Sequence, residues 1–332
     1  MYLDISFPGL GLSFNPDRAA FSIGGKPIYW YGIIIAAGFL LAVLYAMRRC
    51  KQFGLTQDNI IDMLICAVPS AIVCARLYYC VFEWDLYKDD PIQILNIRNG
   101  GLAIYGGVIG AVLAVLIFTK VKKIRTAAML DIGGLGLLIG QSIGRWGNFI
   151  NREAFGTTTD SFLRMGLTDA SGATIYVHPT FLYESLWNAL GLLILHVLSK
   201  RRKYDGQIFV MYLGWYGLGR VFIEGLRTDS LYLMGTNLRV SQLLAGICVV
   251  FAVVYLFVNA VFREHDPEDL YVNVVAARTA AEAAAEKAAA ETVEPDAVEA
   301  VEQDAAESER ETADAEADPA APPEESPEES SN

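Results

Sequence analysis

The sequence predicts an all-α polytopic membrane protein with about seven transmembrane helices, on two observations. The chain of 332 residues is 53% hydrophobic and has a mean hydropathy of +0.33 despite a very polar C-terminal part. Apolar runs of about 20 residues, the length that crosses a bilayer as a helix, recur along the chain. Both features are typical of a polytopic membrane protein and not of a soluble enzyme.

The apolar runs follow an N-terminal segment, Met1–Pro27, whose mixed Gly, Pro, Asn and Ser content suits a small interfacial segment. We place seven spans near residues 28–47, 60–82, 102–119, 128–150, 180–199, 207–226 and 241–262. The fourth span is the least typical because it is rich in glycine.

Basic residues in the loops predict the orientation. Eleven of them crowd the short loops after the first, third and fifth spans: Arg48, Arg49, Lys51, Lys120, Lys122, Lys123, Arg125, Lys200, Arg201, Arg202 and Lys203. Cytoplasmic loops carry an excess of Lys and Arg. We therefore expect the N-terminus outside and the C-terminus in the cytoplasm.

The net negative charge of the chain comes from its C-terminal part. Ala281–Asn332 hold 18 acidic and 2 basic residues, whereas the other 280 residues hold 20 acidic and 24 basic ones. Alanine favours helix around Ala276–Ala290, but the remainder cannot bury enough apolar area to fold. We expect a membrane catalytic domain over residues 1–263 and a disordered cytoplasmic tail over 264–332.

The most unusual stretch is Gly144–Gly156, GRWGNFINREAFG, which closes the fourth apolar run with two arginines, two asparagines and a glutamate. A charged side chain at the centre of a membrane helix costs about 2.5–3.5 kcal/mol on insertion scales, so such residues are commonly functional. Counted at ~1.5 Å per residue from the cytoplasmic ends of their spans, Arg145 lies about 26 Å up a ~30 Å core, Arg76 about 24 Å and Arg220 about 20 Å.

This depth predicts a site in the outer half of the bilayer. Tyr31 and Tyr105 enter from the outer ends of the first and third spans and reach a similar depth. The fork of a guanidinium matches pairs of phosphate oxygens, so the arginines suit a lipid phosphate. Asn148 and Asn151 are candidates to donate hydrogen bonds to glycerol hydroxyls or ester carbonyls.

Structural roles compete with these functional ones. Arg76 is as well suited to anchor its helix at the interface. Arg220, Glu224 and Arg227 share one helical face at i, i+4 and i+7, so Glu224 is expected to hold the arginines in place. His178 is the only outer-side histidine, and capping the fifth span is its expected task.

Two other patterns are interpreted as packing. Gly140–Gly144 matches the G-x-S-x-G elbow around Ser142, which would indicate a serine hydrolase, but that motif needs a strand-turn-helix setting. Here it lies inside a helix, where Gly136, Gly140 and Gly144 form a G-x-x-x-G ladder. The cysteines lack metal-ligand spacing and are expected to be free, buried thiols: Cys50, Cys66, Cys74, Cys80 and Cys248.

Gly144–Gly156 closely resembles the signature of prolipoprotein diacylglyceryl transferases. Further blocks between Trp30 and Gln242 resemble that family's other motifs: Trp30-Tyr31-Gly32, Ala75-Arg76-Leu77, Gly100–Gly107, His178–Glu184, and Tyr216–Arg220 with Glu224 and Arg227. The resemblance implies transfer of a diacylglyceryl group from phosphatidylglycerol to the lipobox cysteine of a prolipoprotein, forming a thioether and releasing glycerol phosphate.

The resemblance also implies partners and residue roles. Phosphatidylglycerol, prolipoprotein signal peptides and the bilayer of a bacterial cell membrane are the expected partners, with no nucleic acid and no metal or organic cofactor. Arg145 and Arg220 would be the essential arginines, supported by Tyr31, Asn148, Glu153, Gly156 and Tyr216.

One departure concerns Tyr105, where some family members carry a histidine proposed as the base. A neutral tyrosine, with a pKa of about 10, is a poor base at neutral pH. Tyr105 therefore either orients a group, or no dedicated base is needed. The alternative function is a lipid or anion transporter that binds its substrate through the same arginines; transporters typically show internal repeats and midplane sites, and we find no repeat in the sequence.

Overall fold

The structure is a computed structural model that describes residues 2–97, 100–232, 236 and 238–290. Seven long helices follow the seven predicted spans: α1 (Trp30–Arg49), α2 (Gln57–Phe82), α3 (Ile104–Val121), α4 (Thr126–Asn151), α5 (Thr180–Leu198), α6 (Gln207–Leu226) and α7 (Val240–Val261). The predicted all-α polytopic membrane fold is confirmed.

Within the described residues, six of these helices are long and apolar enough to cross a membrane by length and composition. The exception is α6, which has 20 residues but includes Arg220 and Glu224 together with several glycines and aromatic residues. These residues lower its mean hydropathy, so α6 differs from the other predicted spans in composition and not in length.

Six short strands form a part of the fold that the sequence did not predict. They are β1 (Tyr2–Phe7), β2 (Leu12–Phe14), β3 (Ala19–Ile23), β4 (Lys26–Tyr29), β5 (Met165–Asp169) and β6 (Thr174–Val177). Four of them form an antiparallel sheet in the order β2-β1-β5-β6, and β3 and β4 form a hairpin. The N-terminal segment, expected to be a small interfacial segment, thus pairs with a hairpin that lies far along the chain, between α4 and α5.

The strands lie where α1 and α5 begin and α4 ends, and we call this the sheet end of the bundle. Its core is apolar and joins the sheet to α4 and α5: Ile5, Phe7, Phe149, Met165, Leu167, Val177 and Phe181. A second core lies towards the opposite end, which carries the three basic loops and which we call the basic end: Cys50, Phe53, Leu55, Ile60, Met129, Ile132, Leu135 and Ile208, among others.

Small residues allow the helices to approach closely. A Cβ built on Gly106 or Gly110 of α3 would lie 2.4 Å or 2.5 Å from backbone carbonyls of α2. On the predicted glycine ladder of α4, Gly144 and Gly136 face Ile35 and Ala42 of α1. The packing interpretation of the ladder agrees with these contacts.

A tryptophan pair fastens α5 to α6. The indole rings of Trp187 and Trp215 stack with their centroids 4.4 Å apart, and each indole N–H donates to the other residue's backbone carbonyl at 2.9 Å. Gly191 and Gly219 leave the room for this arrangement, since a Cβ on either would lie 2.3 Å from an indole nitrogen. The clamp fixes the two helices that carry much of the candidate site.

The chain beyond α7 begins with a docked segment. Contacts divide the chain into one unit of Met1–Val275 and a second of Ala276–Asn332. The Tyr271 N–H donates to Asp205 Oδ2 at 2.8 Å, and Tyr271 packs against the core at the basic end. Residues 271–290 are helical, and the rest of the predicted tail, 291–332, lies outside the described residues.

Candidate active site

A buried carboxylate from α5 joins arginines from two other helices at the sheet end. Glu184 is only 4% exposed. Its Oε2 pairs with Nε of Arg145 on α4, and its Oε1 accepts a hydrogen bond from Nη1 of Arg220 on α6 at 2.6 Å. The two arginines predicted to be essential therefore share one carboxylate. Glu184 is the counter-charge that holds both of them in an apolar bundle.

Two further ion pairs extend this group. Arg220 Nη2 lies 2.5 Å from Oε2 of Glu224, which is itself buried. Arg227, directly after α6, makes a two-bond contact with Asp229 at 2.9 Å and 2.7 Å, and its Nη1 lies 3.9 Å from Glu184. We call Arg145, Glu184, Arg220, Glu224, Arg227 and Asp229 the arginine–carboxylate cluster. The prediction that Glu224 holds Arg220 agrees with this geometry.

The charges of the cluster balance. Three arginines face three carboxylates, and the hydrogen bonds from Arg227 lower the pKa of Asp229 below its ordinary value. Burial opposes the charge of Arg227, but the hydrogen bond and charge of Asp229 raise the pKa of Arg227 overall. Each of the three arginines thus has a carboxylate partner that fixes its position.

The signature stretch adds a polar chain beside Arg145. Nη1 of Arg145 donates to Oδ1 of Asn148 at 3.3 Å, and Nδ2 of Asn148 donates to Oε1 of Glu153 at 2.9 Å. Asn151 donates to the same Glu153 oxygen at 3.2 Å. Glu153 is exposed. The structure therefore brings Asn148, Asn151 and Glu153 together, with Asn148 linking them to Arg145.

Gly156 and His178 join three helix ends next to the cluster. The Gly156 N–H donates to the carbonyl of His178 at 3.0 Å, and Gly156 also pairs with Arg227 in an isolated bridge. A Cβ at Gly156 would lie 2.7 Å from Cβ of His178 and 3.1 Å from the carbonyl of Leu226. Only glycine fits this position without displacing its neighbours.

The expected capping of the fifth span by His178 is wrong. Pro179 is the N-cap residue of α5, and no side chain caps that helix. The His178 ring instead lies 3.4 Å from the Tyr183 hydroxyl, measured from Nδ1. A ring that faces a hydroxyl one turn along cannot also reach the free N–H groups at the helix start.

The predicted tyrosines lie on three different helices. Tyr31 lies in the first turn of α1, with its ring against Gly147 of α4, where a Cβ would be 2.7 Å from Cδ2. Tyr216 lies one turn before Arg220 on α6 and stacks on Tyr212. Tyr105 lies in the first turn of α3, and within the described part of the chain its hydroxyl has no hydrogen-bond partner.

Arg76 is committed to a loop. Its guanidinium is buried and donates from all five N–H positions to backbone carbonyls of the segment between α2 and α3: Gln93, Ile94, Asn96, Gly100 and Gly101, at 2.6–3.1 Å. Gly101 has a φ of +78° and lies so close that a Cβ there would be 2.2 Å from Nη1. These contacts leave no donor for a phosphate, so the geometry favours the structural alternative for Arg76.

Ser142 lies in the interface between α4 and α5. Its Oγ donates to the carbonyl of Ser185 at 2.9 Å, and the neighbouring Trp146 indole donates to Oγ of Ser185 at 3.1 Å. Ser142 sits in the interior of α4 and not at a strand-turn-helix junction. This placement agrees with packing and not with a nucleophile. The five cysteines are free, as expected, but only Cys50 and Cys80 are buried; Cys74 and Cys248 are half-buried and Cys66 is exposed.

Sequence reasoning missed three residues that build the site. Glu184 was seen only as part of the start of the fifth span, although three arginines at one level require a nearby counter-charge. Arg152 is buried and donates to the carbonyls of Leu3 and Pro16, both at 2.6 Å, which ties the N-terminal strands to the end of α4. Arg239 donates to the carbonyl of Glu224.

The cluster has the chemistry of an anion site. The contacts described for Arg145 use Nε and one N–H of Nη1, and those for Arg220 use one N–H each of Nη1 and Nη2. Each guanidinium has five N–H donors. Both therefore keep N–H groups for a further acceptor. The two side chains are mostly buried, at 21% and 15% exposed, and charge-assisted hydrogen bonds in such positions are strong.

Comparison with known proteins identifies the family. The family model for prolipoprotein diacylglyceryl transferase matches residues 18–258. The protein named phosphatidylglycerol–prolipoprotein diacylglyceryl transferase in Bacillus cytotoxicus is 46% identical over 250 residues, covering 73% of this chain and 92% of the relative. Proteins of the same name in Bacillus cereus and Bacillus anthracis are 44% identical over 257 residues, covering 75% of this chain and 94% of each relative. The family model covers the helices that form the cluster and more than half of the chain, and the relatives are 44–46% identical, so the chain belongs to the prolipoprotein diacylglyceryl transferase family.

Proposed function

We propose that the protein transfers the diacylglyceryl group of phosphatidylglycerol to the lipobox cysteine of prolipoproteins. Family membership and the names of the relatives supply the reaction class and both substrates. The observation that carries the proposal for this chain is the shared contact of Arg145 and Arg220 with Glu184. It brings guanidinium groups from two helices to one carboxylate, and guanidinium groups bind pairs of phosphate oxygens well.

The reaction exchanges a carbon–oxygen bond for a carbon–sulfur bond. The cysteine sulfur attacks the glyceryl carbon that bears the phosphate, the bond from that carbon to the phosphate oxygen breaks, and glycerol phosphate leaves. The thiol proton passes to the departing phosphate or to water. A free thiol has a pKa of about 8.5 and is mostly protonated at neutral pH. The site must therefore favour the thiolate as well as stabilise the leaving phosphate.

The arginines act on the leaving group. Negative charge grows on the phosphate oxygens as the carbon–oxygen bond breaks, and donors fixed in advance stabilise that charge best. Glu184 and Glu224 fix Arg145 and Arg220 before substrate binds, so little reorganisation is needed. The N–H groups that Arg145 and Arg220 keep for a further acceptor also favour a thiolate over a thiol within their reach.

The remaining predicted residues are assigned by their contacts. Asn148, Asn151 and Glu153 form the polar chain that meets the glycerol part of the lipid. Tyr105, whose hydroxyl lacks a partner among the described residues, orients a substrate group and is not the base. The others position these groups: Tyr31, Gly156, His178, Tyr216, Glu224 and Arg227. Arg76 is assigned the structural role of holding the segment between α2 and α3.

The orientation follows from charge. The three basic loops lie at the basic end, and cytoplasmic loops are enriched in Lys and Arg. The sheet end with its arginine–carboxylate cluster then faces the outer leaflet of the cell membrane, the N-terminus lies outside, and the residues after α7 lie in the cytoplasm. Lipid enters the site from the bilayer, and the thioether product remains in the membrane.

The test is to incubate the purified protein with phosphatidylglycerol and a lipobox peptide and then to measure the mass of the peptide. A mass gain of one diacylglyceryl group is expected, together with release of glycerol phosphate. A peptide in which serine replaces the lipobox cysteine is the control and must gain nothing. Uptake of labelled lipid or anion into vesicles without any peptide modification would instead support the transporter alternative and overturn the proposal.

A further inference from the structure

A long apolar groove lies on the outside of the bundle along α7, where Val221 of α6 completes a lining made of α7 and its flanking residues. Its volume is about 950 Å³, and its lining runs from Leu238 and Arg239 at the sheet end to Asn259 and Arg263 at the basic end. Along α7 the lining residues recur every three or four positions: Leu243, Gly246, Ile247, Val250, Val254 and Val258. They form one continuous stripe, because residues at this spacing share a helix face.

We propose that this groove docks the hydrophobic helix of the prolipoprotein signal peptide, with the lipobox cysteine at the sheet end. The inference rests on the proposed function and names where its second substrate binds. Three observations carry it: the length of the groove, its connection to the cluster, and the charge at its basic end.

The length suits a peptide helix better than a lipid chain. The 22 residues of α7 span about 33 Å at ~1.5 Å per residue, a whole membrane and not one leaflet. Gly246 forms an open notch in the stripe, since a Cβ built there would meet nothing within 4 Å. Small residues at such positions let a second membrane helix approach closely.

The sheet end of the groove leads to the arginines. Arg239 lines the groove and donates to the carbonyl of Glu224, the residue that pairs with Arg220. Gln242, also in the lining, donates to the carbonyl of Val221 at 2.9 Å. A helix lying in the groove therefore presents its outer end beside the cluster, where the cysteine must react.

The basic end of the groove meets an acidic segment. Arg263, the last lining residue, is followed by the exposed residues Glu264, Asp266, Glu268 and Asp269. The segment stays next to the groove because the His265 ring stacks on Tyr204 at 4.3 Å and its Nε2 lies 3.1 Å from the carbonyl of Asn259. Asp266 and Asp269 share a small pocket with Arg125 and Lys203, whereas Glu264 and Glu268 make no ion pair within the described part of the chain. Signal peptides begin with a positively charged region before their apolar helix, so the carboxylates of Glu264 and Glu268 complement that end of the substrate.

Photo-crosslinking tests the location. A benzophenone amino acid is placed at Val250, which lines the groove, and at Val253, which is equally exposed at 62% against 64% but lies outside the lining. Both variants are reconstituted with phosphatidylglycerol and a full-length signal peptide carrying serine for cysteine, so that the peptide is not consumed. Crosslinking to the peptide from position 250 and not from 253 is expected.

Charge variants test the register. Glu264→Gln with Glu268→Gln is expected to raise KM for a peptide with a basic N-terminal region about threefold to fivefold at low salt, the effect of one or two exposed ion pairs. KM for a peptide with a neutral N-terminal region, KM for phosphatidylglycerol and kcat are expected to stay unchanged. Asp58→Asn, a remote exposed acidic residue at the same end of the bundle, is the matched control.

The outcomes separate the two proposals. If the enzyme transfers diacylglycerol but position 250 crosslinks only to phospholipid or to a second copy of the chain, the docking site is wrong and the proposed function stands. Equal crosslinking from both positions, or an equal KM increase for both peptides, also contradicts the docking site. If no variant and no wild-type sample modifies a cysteine peptide, the proposed function itself fails.

Discussion

Glu184 is the residue on which the geometry of the candidate site depends, because Arg145 and Arg220 both pair with its carboxylate. Removing one partner of a buried ion pair leaves an uncompensated charge, which is costly. A residue that replaces either arginine must therefore supply a positive charge for the ion pair and hydrogen bonds for the substrate phosphate. Lysine satisfies the charge, but it cannot form two parallel hydrogen bonds with a phosphate.

Arg145→Lys and Arg220→Lys are accordingly each expected to slow transfer roughly a hundredfold, the loss of a charge-assisted contact of ~3 kcal/mol, at about a factor of ten per 1.36 kcal/mol. The measurement is kcat/KM for phosphatidylglycerol with a cysteine peptide, at matched expression and thermal stability. Arg76→Lys is the informative comparison, since the Arg76 donors all go to loop carbonyls. Arg76→Lys is expected to lower thermal stability and to decrease kcat much less than Arg145→Lys or Arg220→Lys does. Near-full turnover in both Arg145→Lys and Arg220→Lys would make these arginines purely structural.

Tyr105→Phe separates orientation from proton transfer. The hydroxyl of Tyr105 has no partner among the described residues, so its removal leaves no buried group unpaired. We expect a decrease in kcat of about tenfold, the size of one hydrogen bond to substrate, with the pH profile of kcat/KM unchanged. A shifted basic limb, or complete loss of turnover with normal lipid binding, would instead assign proton transfer to the phenol.

At the scale of elements, the helices were predictable and their contacts were not. Each apolar run became a helix within a few residues of its predicted bounds, because length and hydropathy are local properties of the sequence. Glu184 was missed because nothing local states that the start of α5 faces α4 and α6. Arg76 was ambiguous for the same reason: its five acceptors are backbone carbonyls, which have no signature in the sequence. The strands were missed because β1 pairs with β5, which follows it in the sequence only after four helices.

The tryptophan clamp between α5 and α6 gives a prediction at this scale. Gly219→Ala places a methyl group 2.3 Å from the Trp187 indole nitrogen, so the stack and its two indole–carbonyl hydrogen bonds must shift. We expect a loss of about 2 kcal/mol in unfolding free energy, typical of overpacking, despite the better helix propensity of alanine. Thermal unfolding in detergent measures it. Gly133→Ala on α4, where a Cβ meets nothing within 4 Å, is the control and must not lower stability; an equal loss in both variants would refute the clamp.

At the scale of the whole molecule, the predicted division at residue 263 and the observed first unit, Met1–Val275, differ in the segment 264–275. The sequence assigned this segment to the tail because it is short and rich in acidic residues. Its anchors are aromatic and backbone groups. Tyr271 packs into the core at the basic end, and Arg125 donates to the carbonyl of Asp269 and lies over the Tyr271 ring. We therefore propose that the membrane domain ends near Val275 and that the acidic tail follows it.

Two truncations test this boundary. Ending the chain before Ala281 removes only residues of the second unit and is expected to leave transfer and thermal stability nearly unchanged, because a solvated acidic segment takes no part in the chemistry. Ending it before Glu264 also removes Tyr271 and the N–H that Asp205 accepts at 2.8 Å. Asp205 then keeps Arg125 but loses a backbone partner in a buried position. We expect a loss of about 2–3 kcal/mol in unfolding free energy, because one buried acceptor is left unpaired and the packing of the Tyr271 ring is lost.

Turnover distinguishes the boundary from the site. The segment 264–275 lies at the basic end, whereas the arginine–carboxylate cluster lies at the sheet end, so kcat at a temperature well below unfolding is expected to be the same for both truncated chains and the full chain. A Tyr271→Ala variant of the full chain serves as the matched control and is expected to reproduce part of the stability loss without removing any acidic residue. If the shorter chain were as stable as the longer one, the segment would not be docked; if the chain ending before Ala281 lost its turnover, the tail would act on the site and the proposed orientation would be wrong.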